Sequence, residues 1–219
     1  MRLHEYQSKE IFSNYNIQIP RGHLASTPEE AKLIAEELSG PVVLKAQVLV
    51  GGRGKAGGIR LVKTPSEAED LASKILGSRI KELPVRRILV EEAITFQQEI
   101  YLGMTIDRQY GEIILIASSE GGVDIEEVAR LKPEKISRIN INPLLGLRDF
   151  QTRDLASEIE IPRNLWRAFI LIAHNLYRAY TNIDATLAEI NPLVITSDNR
   201  LVALDGKIIL DDNALFRHP

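Results

Sequence analysis

The spacing of apolar residues changes period several times along the chain, and each change marks an element. Over residues 3–15, Leu3, Tyr6, Ile11, Phe12 and Tyr15 recur near the helical period, which predicts a short amphipathic helix broken at Pro20. Thr27 is a good N-cap, with Pro28 in the first helical position and Glu29 and Glu30 in the first turn. This second helix is predicted to reach about Leu38 and stop at Gly40 and Pro41. Residues 41–50 (PVVLKAQVLV) are apolar and β-branched and read as a strand entering the interior. A glycine-rich loop over 51–58 separates it from a further strand, IRLVKT. Thr64, Pro65 and Glu67 open a helix to about Gly77, and RRILVEEAI over 86–94 reads as another buried strand.

Strands are predicted over 98–107 and 112–119, joined as a hairpin around Arg108 to Gly111. The stretch 120–150 carries Gly121, Gly122, Pro133, Pro143 and Gly146 and reads as irregular. Pro162 opens a helix to residue 182, with Leu165, Phe169, Ile172 and Leu176 as its apolar stripe. The last segment is a hairpin turning at Ser197 to Arg200. No internal repeat appears. This order predicts an α+β chain and not a regular βαβ alternation.

The length, 219 residues, corresponds to one bilobed unit or two small lobes. The chain has no cysteine, which excludes disulfide scaffolds, Cys-ligated metals and thiol nucleophiles together. Its 27 basic and 30 acidic residues give a formal charge of −3, without the basic excess of a nucleic-acid binder. No apolar run approaches the roughly 18–20 residues of a membrane span, and the N-terminus lacks an apolar secretory segment. These features predict a cytoplasmic protein with neither nucleic acid nor membrane as partner.

Residues 52–57 (GRGKAG) satisfy G-x-G-x-x-G, but a strand follows where dinucleotide binding requires a helix. A Walker loop needs Ser or Thr after the lysine, and Lys55 precedes Ala56. Two readings survive. The loop either closes over phosphates through its backbone N–H groups, with Arg53 and Lys55 adding positive charge at its tip, or is a surface loop without a ligand. Lys45, inside an apolar strand just before this loop, is either placed to neutralise phosphate charge or is a snorkelling edge-strand lysine.

Glu189 and Asn191 are two apart and share one strand face; the hairpin turn sets Asp205 across from Asn191. Amide and carboxylate oxygens so placed suit Mg²⁺; the other reading is a solvated polar face. Lys207 shares that face. Glu91, Glu92 and Glu99 could accept from ribose hydroxyls or simply be solvated. The four histidines have no metal-ligand spacing, and no serine sits in a G-x-S-x-G elbow.

The segments LHEYQSKEIF, VVLKAQVLVGGRGKAGGI, ILVEEAITFQQEIYLG, ASSEGGVDIEEVA, LAEINPLVIT, LDGK and DDNALFRHP follow one another from residue 3 to 219. Together they resemble the ATP-grasp portion of the β subunit of succinyl-CoA synthetase (succinate–CoA ligase, ADP- or GDP-forming). Malate–CoA and citryl-CoA-forming ligases share this module. The resemblance implies an ATP-grasp fold of two lobes, a small one over about 20–95 and a large one of about 1–19 plus 96–219, with the nucleotide between them. It implies Mg²⁺ and ATP/ADP, or GTP/GDP, as cofactors. The implied partner, in a hetero-oligomer, is an α subunit carrying the phosphohistidine and the CoA site.

Residue by residue, Lys45, Gly52, Arg53 and Gly54 match the family's phosphate-binding positions. Glu91 and the backbone of Ile94 match positions around the ribose and base, although Ile94 is bulkier than the family's usual small residue. Glu99 matches another nucleotide contact, Asn191 and Asp205 the Mg²⁺ ligands, and Glu189 the acid that meets the partner's histidine. Pro20 lies where GTP-preferring relatives carry an amide, which implies adenine preference. A full family β subunit continues into a CoA-ligase domain that is absent here, so the expectation is a truncated or split chain, inactive alone. A carboxylate–amine ATP-grasp ligase and a non-catalytic partner-binding module are the alternative readings.

Overall fold

The computed structural model describes residues 1–54 and 56–218. In chain order the elements are α1 (Glu5–Asn14), β1 (Gly22–Ala25), α2 (Pro28–Leu38), β2 (Val42–Ala46), β3 (Ile59–Val62), α3 (Pro65–Ile75), β4 (Arg79–Ile80), β5 (Leu83–Pro84) and β6 (Ile88–Glu92). They continue with β7 (Phe96–Asp107), β8 (Glu112–Ser118), α4 (Ile125–Leu131), β9 (Ile136–Ile141), α5 (Asp149–Glu158), α6 (Trp166–Asn182), β10 (Ala185–Thr196), β11 (Leu201–Ala203) and β12 (Gly206–Leu210). The chain divides into two compact units, Pro20–Ile94 and Met1–Ile19 with Thr95–Pro219. Among the described residues no helix is long and apolar enough to cross a membrane.

The smaller unit is a four-stranded antiparallel sheet, ordered β1-β6-β2-β3, with α2 and α3 on one face. Both helices start as the sequence dictates: the hydroxyls of Thr27 and Thr64 accept the N–H of Glu30 and Glu67, each at 3.2 Å. Strand alternation sends Val42, Leu44, Ala46, Ile88 and Val90 into the core with Ala31, Ile34, Ala68 and Ala72. Val43, Lys45, Leu89 and Glu91 therefore take the opposite face.

The larger unit is a six-stranded antiparallel sheet, β11-β10-β7-β8-β9, with β12 also pairing β10. Ile100, Leu102, Met104 and Ile190 pack with Leu155 of α5 and Phe169, Ile172 and Leu176 of α6. Glu99, Tyr101 and Gly103 alternate with those core positions and face the other way. Helix α1 lies against β12: the Leu3 N–H donates to the Ile208 carbonyl at 3.0 Å and the Ile208 N–H to the Ser8 hydroxyl at 3.2 Å. Gly206 is required there, since a Cβ would stand 2.3 Å from the Phe12 ring.

Several sequence expectations need correction. The stretch 120–150 is not irregular; it holds α4, β9 and the start of α5. Its glycines and prolines punctuate short elements: Asp124 caps α4 by accepting the Glu126 N–H at 3.1 Å, and Gln151 reaches back to the Arg148 N–H at 3.0 Å. The strand over 41–50 stops at Ala46, where the chain turns into the glycine loop. Strand β1 has no apolar signature and exists through its pairing with β6. The helix over 162–182 begins as a 3₁₀ turn, Arg163–Leu165. The terminal hairpin turns where expected, but its return arm breaks at Leu204 and Asp205 into β11 and β12.

Candidate functional site

In the smaller unit, Lys45 and Glu91 form an ion pair of 2.9 Å, with side chains 9% and 3% exposed. Register explains it. Lys45 lies opposite Leu89 and Val43 opposite Glu91, so the two are diagonal neighbours on the face away from the helices. Gly22, opposite Glu91, makes this burial possible: a Cβ there would stand 2.3 Å from the Val90 carbonyl oxygen and 2.8 Å from Glu91 Cγ. Glu92 takes a different partner, accepting the backbone N–H of Arg21 at 3.0 Å and its Nε at 2.9 Å.

The glycine-rich loop folds back over the end of β2. Gly58 N–H donates to the Arg53 carbonyl at 2.8 Å, and Ala46 N–H to the Gly58 carbonyl at 2.8 Å. Arg53 does not stand at an exposed tip, as its charge and loop position suggest. It is buried, with Nη1 donating to the Ala46 carbonyl at 3.2 Å. Gly52 has a positive φ of 70°, Gly54 is exposed, and Lys81 Nζ donates to the Gly51 carbonyl at 2.8 Å. Lys55 lies outside the described residues. Ile94 follows β6 and is half-buried.

In the larger unit, Glu189 and Asn191 share a face of β10, and Asn191 Nδ2 reaches Glu189 Oε1 at 3.4 Å. Lys207, opposite Glu189, approaches its carboxylate at 3.6 Å. Asn191 N–H donates to the Asp205 carbonyl at 3.2 Å, and the Asp205 carboxylate accepts the Gly206 N–H at 2.7 Å. The side chain of Asn191 is clasped by the chain ahead of α4. Its Oδ1 accepts the Gly122 N–H at 2.8 Å and its Nδ2 donates to the Val123 carbonyl at 2.8 Å. Among the described residues no three His, Asp or Glu side chains converge as metal ligands.

Tyr101 is a member of this cluster that sequence reading passes over. Its ring arches over Gly103, where a Cβ would meet the hydroxyl at 2.6 Å, and Gly103 lies opposite Glu189. Burial, then the charges of Glu189, Glu126 and Asp124, push its phenol well above the ordinary range. A hydrogen bond with Asp124 holds the Glu126 carboxyl above its usual value, and burial raises Glu99. Burial and hydrogen bonding thus make both carboxyls hold their protons more tightly than free ones.

Three of the four histidines have close partners elsewhere, and the fourth, His23, is exposed. His4 caps α1 and stacks on Tyr6 with ring centroids 5.8 Å apart; His23 approaches Glu37 at 3.8 Å. His174 pairs with Asp149 at 2.9 Å and His218 with Asp184 at 2.8 Å.

A family model described as an ATP-grasp domain matches residues 2–195. The chain belongs to the ATP-grasp family. It is 56% identical, over 220 aligned residues, to the ADP-forming succinate–CoA ligase subunit beta of Roseiflexus sp. (strain RS-1). It is 53% identical to the GDP-forming succinate–CoA ligase subunit beta of Thermus thermophilus. Both alignments take in 100% of this chain and 58% of the relative, so the chain spans a little over half the length of those proteins. Among solved structures, the dinucleotide-forming acetyl-coenzyme A synthetase 1 of Ca. Korarchaeum cryptofilum superposes with a TM-score of 0.78 at 20% identity, over 96% of this chain and 93% of that one. That likeness is one of fold.

Proposed function

We propose that this chain is the nucleotide-binding part of an acid–CoA ligase that moves a phosphoryl group between Mg-nucleotide and a histidine of a partner α subunit, during interconversion of succinate and succinyl-CoA. The observation that carries this reading is identity above one half, along the whole chain, to succinate–CoA ligase subunits beta. The engagement of His4, His174 and His218 by other residues supports an acceptor imidazole from another chain.

Phosphate binding falls to Lys45, Arg53 and the backbone N–H groups of Gly52 and Gly54; Glu91 keeps Lys45 compensated until phosphate arrives. Glu91 and the Ile94 backbone then serve the ribose and base, and Glu99 a further nucleotide contact. Asn191 and Asp205 hold Mg²⁺. Their chemistry fits that ion: an amide oxygen and a carboxylate on paired backbone, the small oxygen-only set Mg²⁺ takes from a protein while keeping waters and phosphates. When bound, Mg²⁺ neutralises charge on the phosphoryl oxygens. Glu189 accepts the N–H of the incoming imidazole, fixing its tautomer and stabilising its cation.

Pro20, which offers no side-chain donor to a guanine, favours adenine nucleotides, so ADP should win a competition against equal GDP. Calorimetry tests the reading as a whole. Mg-ADP should bind the chain, and Lys45→Ala and Asp205→Ala should each weaken binding by about 1.5–3 kcal/mol, the loss of one charge-assisted contact. Absence of binding at millimolar nucleotide would overturn it.

A further inference from the structure

The segment Gly121–Val123 lies directly on β7. Gly121 N–H donates to the Glu99 carbonyl at 3.2 Å, and a Cβ on Gly121 would stand 2.5 Å from the Ile100 backbone nitrogen. Gly122 has φ +71°, and a Cβ there would stand 2.7 Å from Glu99 Oε1. Two adjacent glycines are therefore what allow the backbone to approach the strand this closely. At that distance the segment takes hold of Asn191 by both ends of its amide, Gly122 N–H to Oδ1 and Nδ2 to the Val123 carbonyl, each at 2.8 Å.

An amide gripped at both ends cannot exchange its oxygen and nitrogen. The carbonyl oxygen has two lone pairs, and Gly122 occupies one. The bond from Nδ2 to Val123 polarises the amide and adds negative charge to Oδ1. We propose that the Gly121–Val123 strap is the positioning element of the cation site: it fixes which end of the Asn191 amide is the oxygen and presents that oxygen's second lone pair to Mg²⁺. The inference rests on the reading of Asn191 as a cation ligand. Because coupling is reciprocal, the cation must in turn stabilise the strap.

Mn²⁺ binding in the presence of ADP, followed by electron paramagnetic resonance, tests this. Gly122→Ala should weaken Mn²⁺ by about 10–100-fold, the usual loss when a ligand's supporting partner is removed. Asn191→Ala should weaken it at least as much, with Mn²⁺ affinity of both variants read at saturating ADP, because a Cβ at Gly122 also presses on Glu99, a proposed nucleotide contact. Weaker Mn²⁺ with Asn191→Ala alone would overturn the strap's role and leave the ligand assignment standing; unchanged Mn²⁺ with both would overturn both. Should Gly122→Ala fail to fold, hydrogen exchange of the unaltered chain decides. The Gly122 amide should exchange more slowly once Mg-ADP is bound, and unchanged or faster exchange would overturn the proposal.

Discussion

On the sheet of the smaller unit, Lys45 and Glu91 lie 2.9 Å apart and almost fully buried. On the sheet of the larger unit, Glu189 reaches Asn191 and Lys207 only at 3.4 and 3.6 Å, and nearby Glu99 and Glu126 hold their protons above the ordinary carboxylate range. Both polar faces arise in the same way, from strand alternation opposite a helix-covered core. Their charge balance differs. The first has matched its charges, so its desolvation is offset internally and removing one partner is expensive. The second carries an excess of carboxylates and gains from an arriving cation or N–H donor. One sheet face pairs its lysine and glutamate within the chain, and on the proposed reading the other is compensated by what binds.

The sharpest way to break this contrast is to unbalance the matched pair. Lys45→Met should lower unfolding stability by about 3–5 kcal/mol in urea titration, because Glu91 loses its buried counter-charge. Adding Glu91→Leu should recover most of that loss, and a double variant as unstable as the single one would mean that the pair is not the cause. Next, Gly22→Ala should cost about 1–3 kcal/mol by pushing β1 away from β6, read as faster amide exchange along that pairing.

Effects in the larger unit should be smaller. Asn191→Ala removes the two bonds to the strap and should cost about 1–2 kcal/mol without nucleotide. The smallest effect is a pH dependence. The folded chain holds the Glu126 proton more tightly than the unfolded chain, so stability falls as pH rises from the ordinary value of 4.5 through the raised one. Glu126→Gln should therefore be more stable at neutral pH by a few tenths of a kcal/mol, given its exposure, and show no such gain below the ordinary carboxylate range. Equal gain at both ends of a pH series of thermal melts would remove the electrostatic cause.

What the sequence revealed follows the range of each signal. Caps and periods are local, and so Thr27, Thr64 and the stripe of α6 could be read directly. The stretch 120–150 was opaque because its elements are short and α5 is mostly polar, burying Thr152, Leu155 and Ala156. Lys45 and Glu91 each stood out as charges in apolar strands, but their pairing depends on the β2–β6 register, which no local pattern encodes. The same holds for the Asn191 clasp, whose partners lie 69 and 68 residues away. Gly121 and Gly122 look like a break in sequence and are a close backbone approach in the fold.

We propose that phosphoryl transfer runs from nucleotide on this chain to a histidine on another. It is tested most directly with γ-³²P-labelled ATP and Mg²⁺, incubated with this chain alone and together with a succinate–CoA ligase α subunit. The account predicts acid-labile, base-stable label on the α subunit when both chains are present, and none on this chain in either case. Such label on this chain alone would show that one of its own histidines accepts the phosphoryl group, and would contradict the account.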